Sequence, residues 1–263
     1  SFVGWHEGSN LISSSLQVSV TMSANRTLVA KYQIKNYVVN AVSDDTTKGI
    51  VSPAGQTVEH GKNATVTASR KTGYKFDGWY NGTTKVTSAN PYTFAPTANI
   101  TLTAKWAINT VSDTVKISPS GGGIVSPNPV TGQENTAIST TATPATGYNF
   151  KHWRYNDSSA SGGYSESTTN PLKITITGKR DITAVFELKS YTVIWNANGG
   201  TVSPASVSKT HGSTLGTLPT PTRAATAEYS YTFAGWFTTA SGGTQISTTT
   251  TVTGNVIYYA HWT

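Results

Sequence analysis

The chain has 263 residues, no cysteine and a formal net charge of +7, yet only 12% of its residues are charged. Without cysteine, disulfide staples and thiolate metal sites are excluded, and no apolar run is long enough for a membrane-spanning helix. A pI near 9.5 favours weak attraction to acidic polymers, while the absence of any Lys/Arg run of five or more argues against nucleic acid as a partner.

In chain order, the sequence opens on FVGW, and its Trp5 starts a beat. FDGW places Trp79 and FKHW places Trp153, each 74 residues after the last; FAGW places Trp236 after 83. An alternating segment closes each beat: LVAKY (28–32), LTAKW (102–106), ITAVF (182–186) and YYAHW (258–262). In ITLTAKW the apolar Ile100, Leu102, Ala104 and Trp106 alternate with Thr101, Thr103 and Lys105, the period of a half-buried strand. The phrase GIVSP at 49–53, GIVSP again at 123–127 and GTVSP at 200–204 gives the third mark. It reads as a strand with a tight Gly entry, stopped by Pro, which cannot donate to a ladder and biases its predecessor to an extended conformation.

Three marks in constant order define a tandem repeat. They divide the chain into 1–35, the back half of a repeat; 36–108; 109–189, with a Gly/Ser-rich insertion in NDSSASGGYSES; and 190–263. The second insertion lies around TRAATAEYS, and the residues after Pro219, TPTRAATAEYS, are the best place for a short helical turn. The linkers at 107–113 and 188–190 are short, which predicts an elongated array of mainly β domains. Domains this small bury only about 60% of their unfolded surface, so their cores need large side chains. Trp5, Trp79, Trp153 and Trp236, with the closing Trp106, Phe186 and Trp262, are the candidate core. Truncating Trp79, Trp153 or Trp236 to Ala should cost its own unit about 3–5 kcal/mol.

Candidates for chemistry are sparse. The five histidines form no HxH or HExxH pair, and His60 and His211 both precede Gly in what reads as a turn. Asp44 and Asp45 lie in a loop without the alternating ligands of a calcium site, and no GxSxG elbow is present. No catalytic residue, metal or cofactor is assigned. The binding candidates are aromatic and basic: Trp195, Tyr231, Tyr258 and Tyr259 in the most aromatic repeat, and Lys31, Lys105 and His261, which recur at one strand position.

WNANGGTVSP, FAGWFTTASGGTQIS and NVIYYAHW, between Trp195 and Trp262, resemble the Listeria-Bacteroides repeat, the B-repeat of internalin B and many bacterial surface proteins. Residues 36–106 and 109–188 resemble divergent versions that keep VSP, the GY-x-F-x-x-W run and the closing Ala strand; the second carries His152 where Gly precedes the Trp elsewhere. The resemblance implies small β-grasp-like domains, with small β-sandwich repeats as the alternative. It also implies an extracellular or cell-wall-attached location and no enzymatic activity. It transfers no functional residue, because the shared positions are apolar and turn residues.

The expected function is therefore a non-catalytic stalk or adhesin array that makes weak contacts with surface polyanions or glycans. One alternative is a glycan-binding module centred on the last repeat. Another is a subunit of an extracellular filament, with homo-assembly through residues 1–35 by strand exchange. Neighbouring repeats of the same chain are the first expected partners. Ser1 already lies inside a repeat, so an export signal and the missing half-repeat are expected upstream of these residues.

Overall fold

A computed structural model describes residues 1–156 and 163–263, so half of the Gly/Ser-rich insertion, 157–162, lies outside the described residues. Every regular element among them is a β-strand. The expected helical turn in TPTRAATAEYS is not formed: Thr222 instead bridges Thr201 through backbone hydrogen bonds, and Thr226 N–H donates to the Tyr229 carbonyl at 2.8 Å around a bend at Ala227 and Glu228. The chain forms two compact units, Ser1–Thr110 with Gln133–Asn135, and Val111–Gly132 with Thr136–Thr263.

In the first unit, Phe2–Glu7 pairs antiparallel with both Asn10–Ser13 and Val29–Tyr32. Residues 36–108 build two sheets. A five-stranded sheet runs in the order Gly55–Glu59, Asn36–Ser43, Ile100–Ile108, Tyr74–Asn81, Thr84–Thr87, and a three-stranded one in the order Tyr92–Phe94, Ala64–Arg70, Gly49–Ser52. Asn36–Ser43 and Ile100–Ile108 are parallel, and the other pairs are antiparallel. Val39, Ala41, Trp79, Leu102 and Ala104 from the larger sheet meet Ala64, Val66 and Ala68 from the smaller in one core. Leu102, Ala104 and Trp106 point inward along one strand, as the period-two alternation requires.

The second unit holds two further cores. Val115–Ser118, Ile182–Leu188, Tyr148–Asn156 and Tyr164–Ser167 form one sheet, and Gly123–Ser126, Ala137–Pro144 and Leu172–Thr175 form another, around Trp153, Ile182, Ala184 and Phe186. The buried carboxylate of Asp113 is satisfied by the backbone N–H groups of Thr177 and Arg180 at 3.2 and 2.8 Å. A structural cap accounts for its burial. The last sheet runs Ser206–Thr210, Ser190–Asn196, Val256–Trp262, Phe233–Phe237, with Val193, Trp195, Leu215, Trp236 and Tyr258 in its core.

The sequence marks meet in space. Each FxxW tryptophan lies directly opposite the alanine of its closing strand: Trp5 and Ala30, Trp79 and Ala104, Trp153 and Ala184, Trp236 and Ala260. A small side chain there leaves room for the indole, and Trp79, Trp153 and Trp236 are at most 1% exposed. Trp5 is half-buried. A register shift beside each tryptophan bulges one of the two strands. The glycine of GIVSP is a packing residue as well as the start of the strand. A Cβ on Gly49 would enter the Trp106 ring, one on Gly123 would stand 2.5 Å from Phe186 and one on Gly200 2.9 Å from Trp262. The strands Gly49–Ser52 and Gly123–Ser126 both stop at the Ser before Pro.

Within each unit one backbone pattern ties a linker residue to a following turn. The carbonyl of Lys35 accepts from His60 N–H at 2.8 Å, that of Asn109 from Glu134 N–H at 2.8 Å, and that of Lys189 from His211 N–H at 2.8 Å. The linker N–H in turn donates to a glycine carbonyl, Asn109 to Gly73 at 2.9 Å and Lys189 to Gly147 at 2.8 Å. His60 and His211 thus sit in the turns their sequence context suggests, with Gly61 and Gly212 at positive φ.

Candidate binding cleft in the last repeat

Two of the aromatic candidates are spent on the core. Trp195 is 3% exposed and Tyr258 5%; Trp195 packs against Trp236 with ring centroids 4.9 Å apart and against Tyr258 at 5.7 Å. Neither ring offers a free face for stacking, and burial raises the phenol pKa of Tyr258, which keeps it a neutral hydroxyl. Tyr259 and Tyr231 are half-buried. The Arg223 guanidinium lies over the Tyr231 ring, 3.8 Å from its centroid.

Lys31, Lys105 and His261 hold one register position, opposite Gly4, Gly78 and Gly235. The glycine makes space for the basic side chain across the pair. In 109–189 the two roles change strands: His152 takes the glycine position and Val185 faces it. Lys105 Nζ sits 4.3 Å above the Tyr80 ring, where a cation–π contact holds it. Lys31 is exposed. Arg26 pairs with Glu7, Lys48 with Asp45, Lys85 with Asp77 and Lys116 with Asp181. Four of the 19 Lys and Arg residues are thereby compensated locally, at partly exposed positions where such pairs contribute little to stability.

A concave polar site remains on the last repeat. A cleft of about 260 Å³ is lined by Asn198, Arg223, Ala240, Ser241, Gly242, His261 and Trp262. Asn198, at φ +47°, donates from Nδ2 to the carbonyls of Ala240 and Ala260, both at 3.0 Å, and so ties the TASGG loop to the closing strand. His261 stacks on Phe237 with centroids 3.9 Å apart and rings 10° from parallel. Its Nε2 lies 2.9 Å from the Thr239 carbonyl. A carbonyl can only accept, so Nε2–H is the donor, and in the Nε2–H tautomer Nδ1 is the acceptor. Trp262 is fixed by a 3.0 Å bond from Nε1 to the Ala197 carbonyl. Arg223 has only a long 3.5 Å approach to the Asn198 carbonyl and no carboxylate partner among the described residues.

Sequence reading missed Arg223, Asn198 and the TASGG loop. Arg223 was legible in one respect, as the single arginine of residues 190–263, where Glu228 is the single carboxylate. Among the described residues no group of three or more His, Asp or Glu side chains could hold a metal ion. No helix among them is long and apolar enough to cross a membrane.

Family models match almost end to end. The divergent InlB B-repeat domain matches residues 39–110 and 113–190, and the Listeria-Bacteroides repeat domain matches 191–261. Two curated proteins of Evansella cellulosilytica, named as a Gly-rich membrane protein and a membrane protein, are each 28% identical, over 202 and 214 residues. The alignments cover 76% and 80% of this chain but only 22% and 29% of those proteins, so the chain spans less than a third of the length of either. No solved structure matches. With four recurring Trp–Ala pairs in the fold and family models over most of its length, the chain belongs to the InlB B-repeat and Listeria-Bacteroides repeat family, whose domains are typical of bacterial surface proteins.

Proposed function

We propose that the chain is a non-catalytic repeat segment of a secreted or wall-attached protein, acting as a stalk or adhesin array that makes weak contacts with surface polyanions or glycans. The observation that carries this reading is the repetition of one core, in which a Trp, its facing Ala and a Gly–aromatic contact recur. What repeats is structural, and an array needs little more. The domain limits 1–35, 36–108, 109–189 and 190–263 belong to the same proposal. An array of neutral and anionic glycans, probed at low and high salt, tests it. Weak retention on polyanions that disappears with salt is the expected result; turnover of any glycan would contradict it.

The polar cleft favours a second reading, a glycan-binding module centred on the last repeat. Amide, imidazole and hydroxyl groups converge there beside an indole, the mixture of few placed polar groups and aromatic surface that small-ligand sites use. Salt-resistant binding of a defined sugar supports this reading over the first.

A further inference from the structure

The charge distribution around the cleft narrows its ligand. Arg223 brings five N–H donors in a planar fork. One face of the guanidinium rests on Tyr231, and its single backbone approach, at 3.5 Å, is too long to satisfy the group. The rest of the lining carries no charged carboxylate or lysine. An extended polyphosphate would call for several cations; this site offers one, among groups suited to hydroxyls. These are the Ser241 side chain, the backbone at Gly242 and the Nδ1 acceptor of His261, beside the ring of Trp262, whose N–H is already bonded to the Ala197 carbonyl.

We propose that the cleft of the last repeat binds one carboxylated sugar residue of an acidic glycan, Arg223 taking the carboxylate in a bidentate pair and Ser241, His261 and the Gly242 backbone taking ring hydroxyls. Two donors on one guanidinium match two carboxylate oxygens in a way that a lysine ammonium does not. The loop that carries Ser241 and Gly242 is held in place before any ligand arrives: Asn198 clamps Ala240, and Thr238 and Thr244 close the turn at 3.1 Å. A prearranged loop lowers the ordering cost of binding. This inference rests on the glycan-binding reading.

Calorimetric titration of the 263-residue chain with oligogalacturonate, neutral chitin oligosaccharide and inorganic polyphosphate tests it, with amide shifts at Ser241 and Gly242 locating the contact. Oligogalacturonate alone should bind and shift those amides. R223K should weaken it about tenfold or more while the protein melts like the parent, since charge is kept and the fork is lost. R223A should abolish it, and K209A, outside the cleft, should change nothing. Should R223A fail to fold, R223K decides. Oligogalacturonate binding untouched by R223K and R223A overturns the proposal. Chitin oligosaccharide binding at the same amides, independent of Arg223, overturns the acidic ligand but leaves the glycan reading. Polyphosphate binding in place of oligogalacturonate overturns both in favour of a charged surface, and no sugar binding at all overturns both.

Discussion

Trp79 and Trp153 are buried with Nε1 lacking a hydrogen-bond partner, whereas Trp236 Nε1 donates to the Pro219 carbonyl at 2.8 Å. One repeat position thus has two energetic settings, because the segment leading to FAGW in the last repeat supplies an acceptor. Replacing Trp79 with Phe removes ring volume together with an unpaired donor, whereas replacing Trp236 with Phe removes similar volume and strands a carbonyl. Thermal or denaturant melts should show Trp236→Phe as the more destabilising by about 1 kcal/mol, the net worth of an ordinary hydrogen bond. Equal losses would mean that the Pro219 contact contributes nothing. A second residue-scale test concerns GIVSP: Gly123→Ala drives a methyl against the Phe186 ring and the Thr143 carbonyl. It should cost about 1–3 kcal/mol, as overpacking does, whereas Ala at Gly212, which has nothing within 4 Å among the described residues, costs only its backbone strain. The Trp beat was legible because one residue type returns at one spacing. The reason for the glycine was not, since its partner ring stands at the far end of the repeat in sequence.

At the scale of elements, the linker carbonyls of Lys35, Asn109 and Lys189 each accept from the turn of the following segment. In the first unit the turn residue Glu134 adds a charged contact. Its carboxylate receives Arg70 Nη1 at 2.6 Å, Asn109 Nδ2 at 2.9 Å and Gly73 N–H at 3.2 Å. These donors lower its pKa from 4.5 to about 2, with Arg70 the largest contribution. A depressed carboxylate pKa stabilises the fold above the ordinary value and loses that contribution as pH falls from about 4.5 through about 2. Unfolding of the parent between those limits should therefore be more pH-dependent than that of Glu134→Gln, as urea melts across the range would measure; parallel curves would contradict it. Most strands and the VSP stops were legible from period-two alternation and proline. The helical turn in TRAATAEYS was misread because its local composition is helix-tolerant, while Thr222 bridges to Thr201, a pairing no local window contains.

Over the whole molecule, the repeat order and family could be read from three marks, because each marks a residue that every core needs. Of the cleft only His261 could, through the strand position it shares with Lys31 and Lys105; Asn198, Arg223 and Ser241 come from three further stretches of one repeat and belong to no recurring mark. The central claim is that each repeat carries its own core, so loss of one should stay local. Amide hydrogen exchange on Trp153→Ala tests this most directly, since the substitution should remove about 3–5 kcal/mol from one core only. Protection should fall across the strands of 109–189, such as Tyr148–Asn156 and Ile182–Leu188, and persist in Ile100–Ile108 and Val256–Trp262. Simultaneous loss of protection in all three cores would show one cooperative fold and contradict the account.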